Sequence, residues 1–90
     1  MKNLKITTQF KKDLKKYKHQ KSKIEALEEV LNKLRNDEAL PSEMNPHRLQ
    51  GNYKGHMECH VGNDLLLIWL DNENDLIVLV RFGTHSELFR

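Results

Sequence analysis

Two nearly continuous apolar runs follow each other in the second half of the chain, DLLLIWLD from Asp64 and LIVLVRF from Leu76. A run that is apolar at almost every position is typical of a central strand, because both of its faces must be buried. Turn-forming residues separate the two runs at Asn72 to Asn74, and Gly83 ends the second. The spacing therefore predicts a hairpin of two central strands.

A third strand is predicted just before them, because the segment YKGHMECHV alternates strictly between apolar and polar residues. The apolar face carries Tyr53, Met57, Cys59 and Val61. The polar face carries Lys54, His56, Glu58 and His60. On this pattern Cys59 is a buried small hydrophobe and no nucleophile. Gly62 and Asn63 supply the turn that follows.

The first half of the chain is helical after a short strand, LKIT. Phe10, Leu14 and Tyr17 recur at the spacing of one helix face, which predicts a helix from Thr8 to Lys18. Ser22 and Glu25 have capping-box spacing, and a second apolar stripe follows them to about Asn36. The stripe consists of Ile24, Leu27, Leu31 and Leu34.

Length and element order together predict the architecture. With 90 residues, the chain is too short for two separate cores, so we expect one domain over residues 1–90. The order β-α-α-β-β-β predicts an α+β fold, with a helical hairpin packed on a small, mainly antiparallel sheet and a short C-terminal helical turn.

Charge is distributed unevenly, although the net charge is only +2. Between Lys2 and Lys23 there are nine lysines and one acidic residue, Asp13, whereas residues 25–43 hold six acidic residues. The N-terminal third therefore presents a basic face that would attract a polyanion such as RNA, with binding that depends on salt. An ordinary solvated lysine-rich helix is the alternative interpretation.

Composition also bounds where the protein works. The N-terminal segment lacks a continuous apolar stretch, and no run approaches the roughly 20 apolar residues needed to span a bilayer. The single cysteine, Cys59, cannot form an internal disulfide, which is compatible with a reducing compartment. We therefore expect a cytoplasmic protein that does not engage a membrane.

Several histidines and charged residues fall where this layout would gather them, and their chemistry suits RNA cleavage through the 2′-hydroxyl. That reaction needs a base, an acid and a cation, and imidazoles suit the first two because their ordinary pKa lies near neutrality. His47, His60 and His85 are the candidates, with Asp64 to orient or polarise a histidine. Arg81 would stabilise the charged phosphorane, and Phe89 would stack on a base.

Each of these residues also has an ordinary interpretation as a surface or core residue. Single histidines in loops are usually solvated surface groups, a terminal phenylalanine often fills a core, His19 is expected on the surface and Trp69 in the core. A zinc site is disfavoured, because His56 and His60 would stand roughly 13 Å apart on one strand. Cys59 would face the other way. We expect no metal and no cofactor.

Three segments resemble the YafQ branch of the RelE-type toxins of bacterial toxin–antitoxin systems: HRLQGNYKG, ECHVGND and RFGTHSELF. The resemblance implies a RelE-like fold, with His47, His60, Asp64 and His85 as the catalytic set. Arg81, Phe89 and Glu58 would contact the substrate, Glu58 as the weaker member. How Asp64 meets His60 depends on the turn, since a two-residue turn would point Asp64 to the opposite face.

The same resemblance implies an activity and a set of partners. Such toxins are ribosome-dependent endoribonucleases that cut mRNA in the A site without a metal, which inhibits translation, and a cognate antitoxin holds them inactive. The basic N-terminal helix would contact ribosomal RNA, and operator DNA would be reached only through the antitoxin complex. The alternative functions are a non-catalytic RNA-binding module and an antitoxin-paired regulatory module. On the enzyme interpretation, His85 is the acid, and His47 or His60 is the base.

Overall fold

A computed structural model, which describes residues 1–72 and 74–89, confirms the α+β fold. Its helices and strands are β1 (Asn3–Ile6), α1 (Thr8–Tyr17), α2 (Lys21–Arg35), β2 (His47–Arg48), β3 (Met57–Val61), β4 (Leu65–Asn72), β5 (Leu76–Gly83) and α3 (His85–Leu88). The short strand β2 is not among the elements that the sequence predicts. The turn predicted at Asn72 to Asn74 includes Glu73, which lies outside the described residues.

The strands form one sheet in the order β1-β5-β4-β3-β2, parallel between β1 and β5 and antiparallel elsewhere. The prediction of a central strand is confirmed for β4, which is buried on both faces. Leu65, Leu67 and Trp69 belong to the main core with the two long helices. Leu66 and Ile68 pack on the other face with Leu88 of α3. This second face carries the candidate site.

The helix α1 covers the edge of β5 where β1 ends. Its N-cap is Thr7, whose side chain accepts a hydrogen bond from Phe10 N at 3.1 Å. The backbone N–H of Thr7 donates to Leu79 O at 3.2 Å, which fixes the start of the helix on the sheet. Phe10 and Tyr17 are buried, as their spacing predicts.

The predicted capping box at Ser22 and Glu25 is wrong. The helix α2 begins at Lys21, its N-cap is Gln20, and no side chain caps it. Gln20 N donates to Tyr17 O at 2.9 Å, and Gln20 O accepts from Lys23 N and Ile24 N at 3.0 and 3.2 Å. The tight connection to α1 therefore starts the second helix before Ser22 can cap it.

The third strand is shorter than predicted, because the alternating segment is interrupted. Tyr53 lies in a short 3₁₀ turn (Gly51–Tyr53), and Gly55 has a φ of +87°, a left-handed conformation that ends any extended run. The strand starts at Met57 instead. Tyr53 consequently packs with Leu66, Ile68 and Leu88, on the face opposite to the one its alternation predicted.

Three expectations about single residues are confirmed. Cys59 is fully buried, and burial, followed by the nearby charge of Glu58, raises the pKa of its thiol to about 12. Trp69 is buried in the core and His19 is exposed.

Within residues 1–72 and 74–89, no helix has both the length and the apolar character needed to cross a bilayer.

Candidate active site

An open cavity of about 410 Å³ gathers five of the predicted site residues. His47 reaches it from β2, Glu58 and His60 from β3, Asp64 from the turn before β4, and His85 from α3. These residues are far apart in sequence, so the sheet and the C-terminal helix are what bring them together. Imidazoles and carboxylates are the side chains that most often act as general acids and bases, so the cavity collects the kinds of group that proton transfer needs.

His47 and Glu58 form a pair because the extra strand β2 aligns them directly across from each other. His47 Nε2 lies 3.2 Å from Glu58 Oε1, and His47 Nδ1 lies 2.6 Å from Asn45 O. A carbonyl oxygen can only accept, so Nδ1 donates to Asn45 O and Nε2 is the ring nitrogen that faces the Glu58 carboxylate. Glu58 is buried, and its Oε2 has no hydrogen-bond partner among the described residues.

His60 and His85 are less constrained. His60 is partly buried and His85 is exposed. Among the described residues, no hydrogen bond or ion pair involves the ring nitrogens of either histidine, whereas His47 Nδ1 faces Asn45 O and Nε2 faces Glu58. Their ring nitrogens are therefore available to a substrate.

Asp64 joins the histidines because the turn before β4 has three residues. Val61 pairs with Leu65 across the hairpin, which leaves Gly62, Asn63 and Asp64 in the turn. Asp64 Oδ2 lies 3.3 Å from Lys23 Nζ on α2. The lysine holds the exposed carboxylate from the side of the helical hairpin, while the turn directs it to the cavity.

The helix α3, which carries His85, is fixed by a capping box and by α1. Thr84 Oγ1 accepts from Glu87 N at 3.2 Å, and Glu87 Oε1 accepts from Thr84 N at 2.8 Å and from the hydroxyl of Tyr17. These hydrogen bonds, chiefly that from Tyr17, lower the pKa of Glu87 to about 2. Gly83 makes room for this carboxylate, since a Cβ there would lie 2.7 Å from Glu87 Oε1.

Replacing Tyr17 with phenylalanine tests this link between α1 and α3. We expect Tyr17→Phe to lower the free energy of unfolding by about 1.5 kcal/mol at pH 7, because a hydrogen bond to a carboxylate is lost. Since the pKa of Glu87 falls from 4.5 to about 2 on folding, this stabilisation is complete above about pH 4.5 and disappears as the pH falls through about 2. Urea unfolding of both proteins at several pH values measures it, and a difference that stays constant down to pH 2 would contradict the link.

Arg81 lies outside this cavity and is bound to the helix α1. Arg81 Nε donates to Asp13 Oδ2 at 2.9 Å, Nη2 donates to Asp13 Oδ1 at 3.3 Å, and Nη1 donates to the Tyr53 hydroxyl at 3.4 Å. The Asp13 carboxylate, chiefly through these hydrogen bonds, raises the pKa of Arg81 further. Phe89 also lies outside, with its ring centroid 5.0 Å from that of His85.

Asp13, Tyr17 and Glu87 support the site, and sequence reasoning assigned them no such part. A signal existed for Asp13, because it falls three residues after Phe10 and four before Tyr17, on the buried face of α1. A charged residue on a buried face must have a partner. Thr84 and Glu87 likewise have capping-box spacing.

No group of three or more His, Cys, Asp or Glu side chains that could hold a metal ion occurs in the part of the chain that the structure describes. The five polar residues of the cavity thus line it without converging on one point.

Known proteins resemble this chain over nearly its whole length. The family described as bacterial toxin of type II toxin-antitoxin system, YafQ, matches residues 2–90. The mRNA interferase toxin YafQ of Escherichia coli strain K12 is 31% identical over 88 residues, which make up 97% of this chain and 95% of that protein.

Several solved structures share the fold. A chain of the E. coli DinJ-YafQ complex is 30% identical, with a TM-score of 0.85 and coverage of 100% of both chains. A metal-bound toxin from Helicobacter pylori is 33% identical, with a TM-score of 0.88 over 99% of this chain and 100% of that one.

The fold and these similarities place the chain among the bacterial toxins of type II toxin–antitoxin systems. Within that class it belongs to the YafQ family, which confirms the resemblance seen in the three sequence segments. The names of its curated relatives support an endoribonuclease activity.

Proposed function

We propose that this protein is a ribosome-dependent endoribonuclease that cuts mRNA in the A site by metal-independent acid–base catalysis, and that a cognate antitoxin holds it inactive. The observation that carries the proposal is the cavity in which His47, Glu58, His60, Asp64 and His85 meet from four separate segments. Its chemistry matches the activity named for the E. coli relative. A complex of that relative with DinJ supports the antitoxin as partner.

In the proposed reaction the ribose 2′-oxygen attacks the adjacent phosphorus and the bond from phosphorus to the 5′-oxygen breaks. His60 takes the proton from the 2′-hydroxyl, and His85 gives a proton to the departing 5′-oxygen. The products are a 2′,3′-cyclic phosphate and a free 5′-hydroxyl. His60 suits the base better than His47, because both ring nitrogens of His47 already have acceptors.

The other residues act on charge and position. His47, which is held between Asn45 O and the Glu58 carboxylate, lines the cavity and positions the substrate there. Asp64, which Lys23 holds at the cavity, orients His60 or His85. Arg81, fixed along one edge by Asp13, reaches a substrate phosphate through Nη1 next to Tyr53.

The basic N-terminal region would bind the ribosome. Asp13, its one acidic residue, is buried, so the charged side chains that this region exposes are all lysines. Seven of its lysines are exposed: Lys5, Lys11, Lys12, Lys15, Lys16, Lys18 and Lys21. Such a surface binds RNA phosphates without regard to sequence. Operator DNA would then be reached only through the antitoxin complex.

Primer extension on mRNA under translation by purified ribosomes tests the proposal. We expect cuts in phase with codons when toxin and ribosomes are both present, and loss of those cuts when ribosomes are omitted, because a small open cavity cannot align the RNA alone. Toxin dialysed against EDTA before the assay should cut equally fast. If antitoxin-free toxin binds ribosomes but makes no cuts, the protein is a binding module and the proposal is wrong.

A further inference from the structure

A second cavity, of about 250 Å³, adjoins the candidate active site. The helix α3 belongs to both, because His85 lines the first cavity whereas Leu88 and Phe89 line the second. The rings of His85 and Phe89 have centroids only 5.0 Å apart. A group bound in the second cavity would therefore lie beside the position of the reacting phosphate.

The walls of this second cavity combine aromatic rings with amide side chains. Tyr53 and Phe89 meet edge to face, with centroids 5.8 Å apart and planes at 83°. Phe89 is 37% exposed, which leaves part of its ring to contact a ligand. Gln50 and Asn52 complete the lining from the loop before β3, and both are exposed.

The loop that carries Gln50 and Asn52 is held in place. Gly51, between them, has a φ of +71°, and this left-handed turn lets both neighbours line the same cavity. Lys54 N donates to Gly51 O at 3.0 Å, and Leu49 N donates to His56 O at 2.9 Å. The two amides are thus presented on a hydrogen-bonded turn, which lowers the entropy that ligand binding would cost.

The chemistry of the lining suits a planar ligand with a hydrogen-bonding edge. Among the described residues, the lining combines the aromatic rings of Tyr53 and Phe89 with the amides of Gln50 and Asn52. An aromatic face accepts any base by stacking, whereas an amide offers one donor and one acceptor group at a fixed separation. This combination fits a nucleobase, whose edge carries neighbouring donors and acceptors.

We propose that Gln50 and Asn52 read the hydrogen-bonding edge of a base that flanks the scissile phosphate, in a subsite where the stacking on Phe89 expected from the sequence would hold that base. This inference rests on the proposed function. It assigns base discrimination to the two amides and base-independent affinity to the aromatic ring.

Cleavage of mRNAs that differ in one nucleotide tests the subsite. Ribosomes would be programmed with each of the four bases at each position flanking the cut, and kcat/KM measured for wild type, Gln50→Leu and Asn52→Leu. The readout is the ratio of kcat/KM between the best and the worst base. Since an unfolded fraction lowers kcat/KM for every base by the same factor, this ratio is independent of folding defects.

We expect the ratio at one flanking position to fall about tenfold in Gln50→Leu or Asn52→Leu, as for the loss of an amide contact to a base. Gln20→Leu, the same change at an exposed position away from the cavity, should keep the wild-type ratio. Phe89→Leu should lower kcat/KM about tenfold for every base and leave the ratio in place.

The outcomes separate the subsite from the reaction itself. Wild-type cleavage with equal kcat/KM for all bases, or ratios unchanged in both amide variants, overturns the subsite and leaves the proposed function standing. Absence of cleavage by antitoxin-free wild type overturns the proposed function, and the subsite with it.

Discussion

Replacing His85 with asparagine should lower the rate of mRNA cleavage on the ribosome by about a hundredfold to ten-thousandfold, the usual contribution of a general acid. The 5′-oxygen leaves poorly unless a proton reaches it as the bond breaks. His85 is exposed at the first position of α3, so the substitution should change the free energy of unfolding by less than about 0.5 kcal/mol. Single-turnover cleavage with saturating ribosomes measures the effect.

Controls can separate a chemical role from a binding role. His19→Asn makes the same change at an exposed histidine outside the cavity and should leave the rate unaltered. Binding of His85→Asn to ribosomes should stay within about twofold of wild type, since a lost general acid acts on the transition state.

A modified substrate then identifies which histidine is the acid. An mRNA with sulfur in place of the scissile 5′-oxygen has a leaving group of much lower pKa, which needs no proton. We expect this substrate to restore fast cleavage to His85→Asn and not to His60→Asn. The reverse result would show that the two histidines have exchanged roles.

Much of the fold follows from patterns that depend on the local sequence alone. The run that became β4 is apolar from Leu65 to Trp69 because both faces of the strand are covered there, and the spacing of Phe10 and Tyr17 marks the buried face of α1. The resemblance to a known family identified the three short segments that contain His47, His60 and His85.

Long-range contacts account for what the sequence left open. The pairing of His47 with Glu58 depends on β2, a strand of two residues that is formed only because β3 offers an edge. Arg81 was expected to be free for a phosphate, but its position depends on Asp13, 68 residues earlier in the chain. Neither contact leaves a periodic signal that would predict the partner.

The second large effect concerns Asp13, where four donors meet one buried carboxylate. Asp13 is 1% exposed. Oδ2 accepts from Phe82 N and from Arg81 Nε, both at 2.9 Å, and Oδ1 accepts from Arg81 Nη2 at 3.3 Å and from Gln9 Nε2 at 3.2 Å. The β1 strand ends at Ile6, opposite Leu79, so Asp13 stands in for the missing strand beside Phe82.

We expect Asp13→Asn to lower the free energy of unfolding by about 3 kcal/mol, because removing the carboxylate leaves the partly buried Arg81 guanidinium without its counter-charge. This loss is expected even though asparagine has nearly the same shape as aspartate. Donors approach both carboxylate oxygens, so whichever oxygen becomes the amide nitrogen meets donors instead of acceptors. Urea unfolding at pH 7 measures the change. A loss below about 0.5 kcal/mol, the range of an ordinary surface substitution, would contradict it.

A double-mutant cycle with Arg81→Met separates the two kinds of partner that Asp13 holds. If the ion pair carries most of the effect, Asp13→Asn should cost much less once Arg81 is already methionine, and the coupling should reach about 2 kcal/mol. The remaining cost belongs to the backbone N–H of Phe82, which stays buried in either background. A coupling near zero would assign the stabilisation to the sheet edge. Asp13 would then secure β5, and through Gly83 and Thr84 the helix with His85, without fixing the guanidinium.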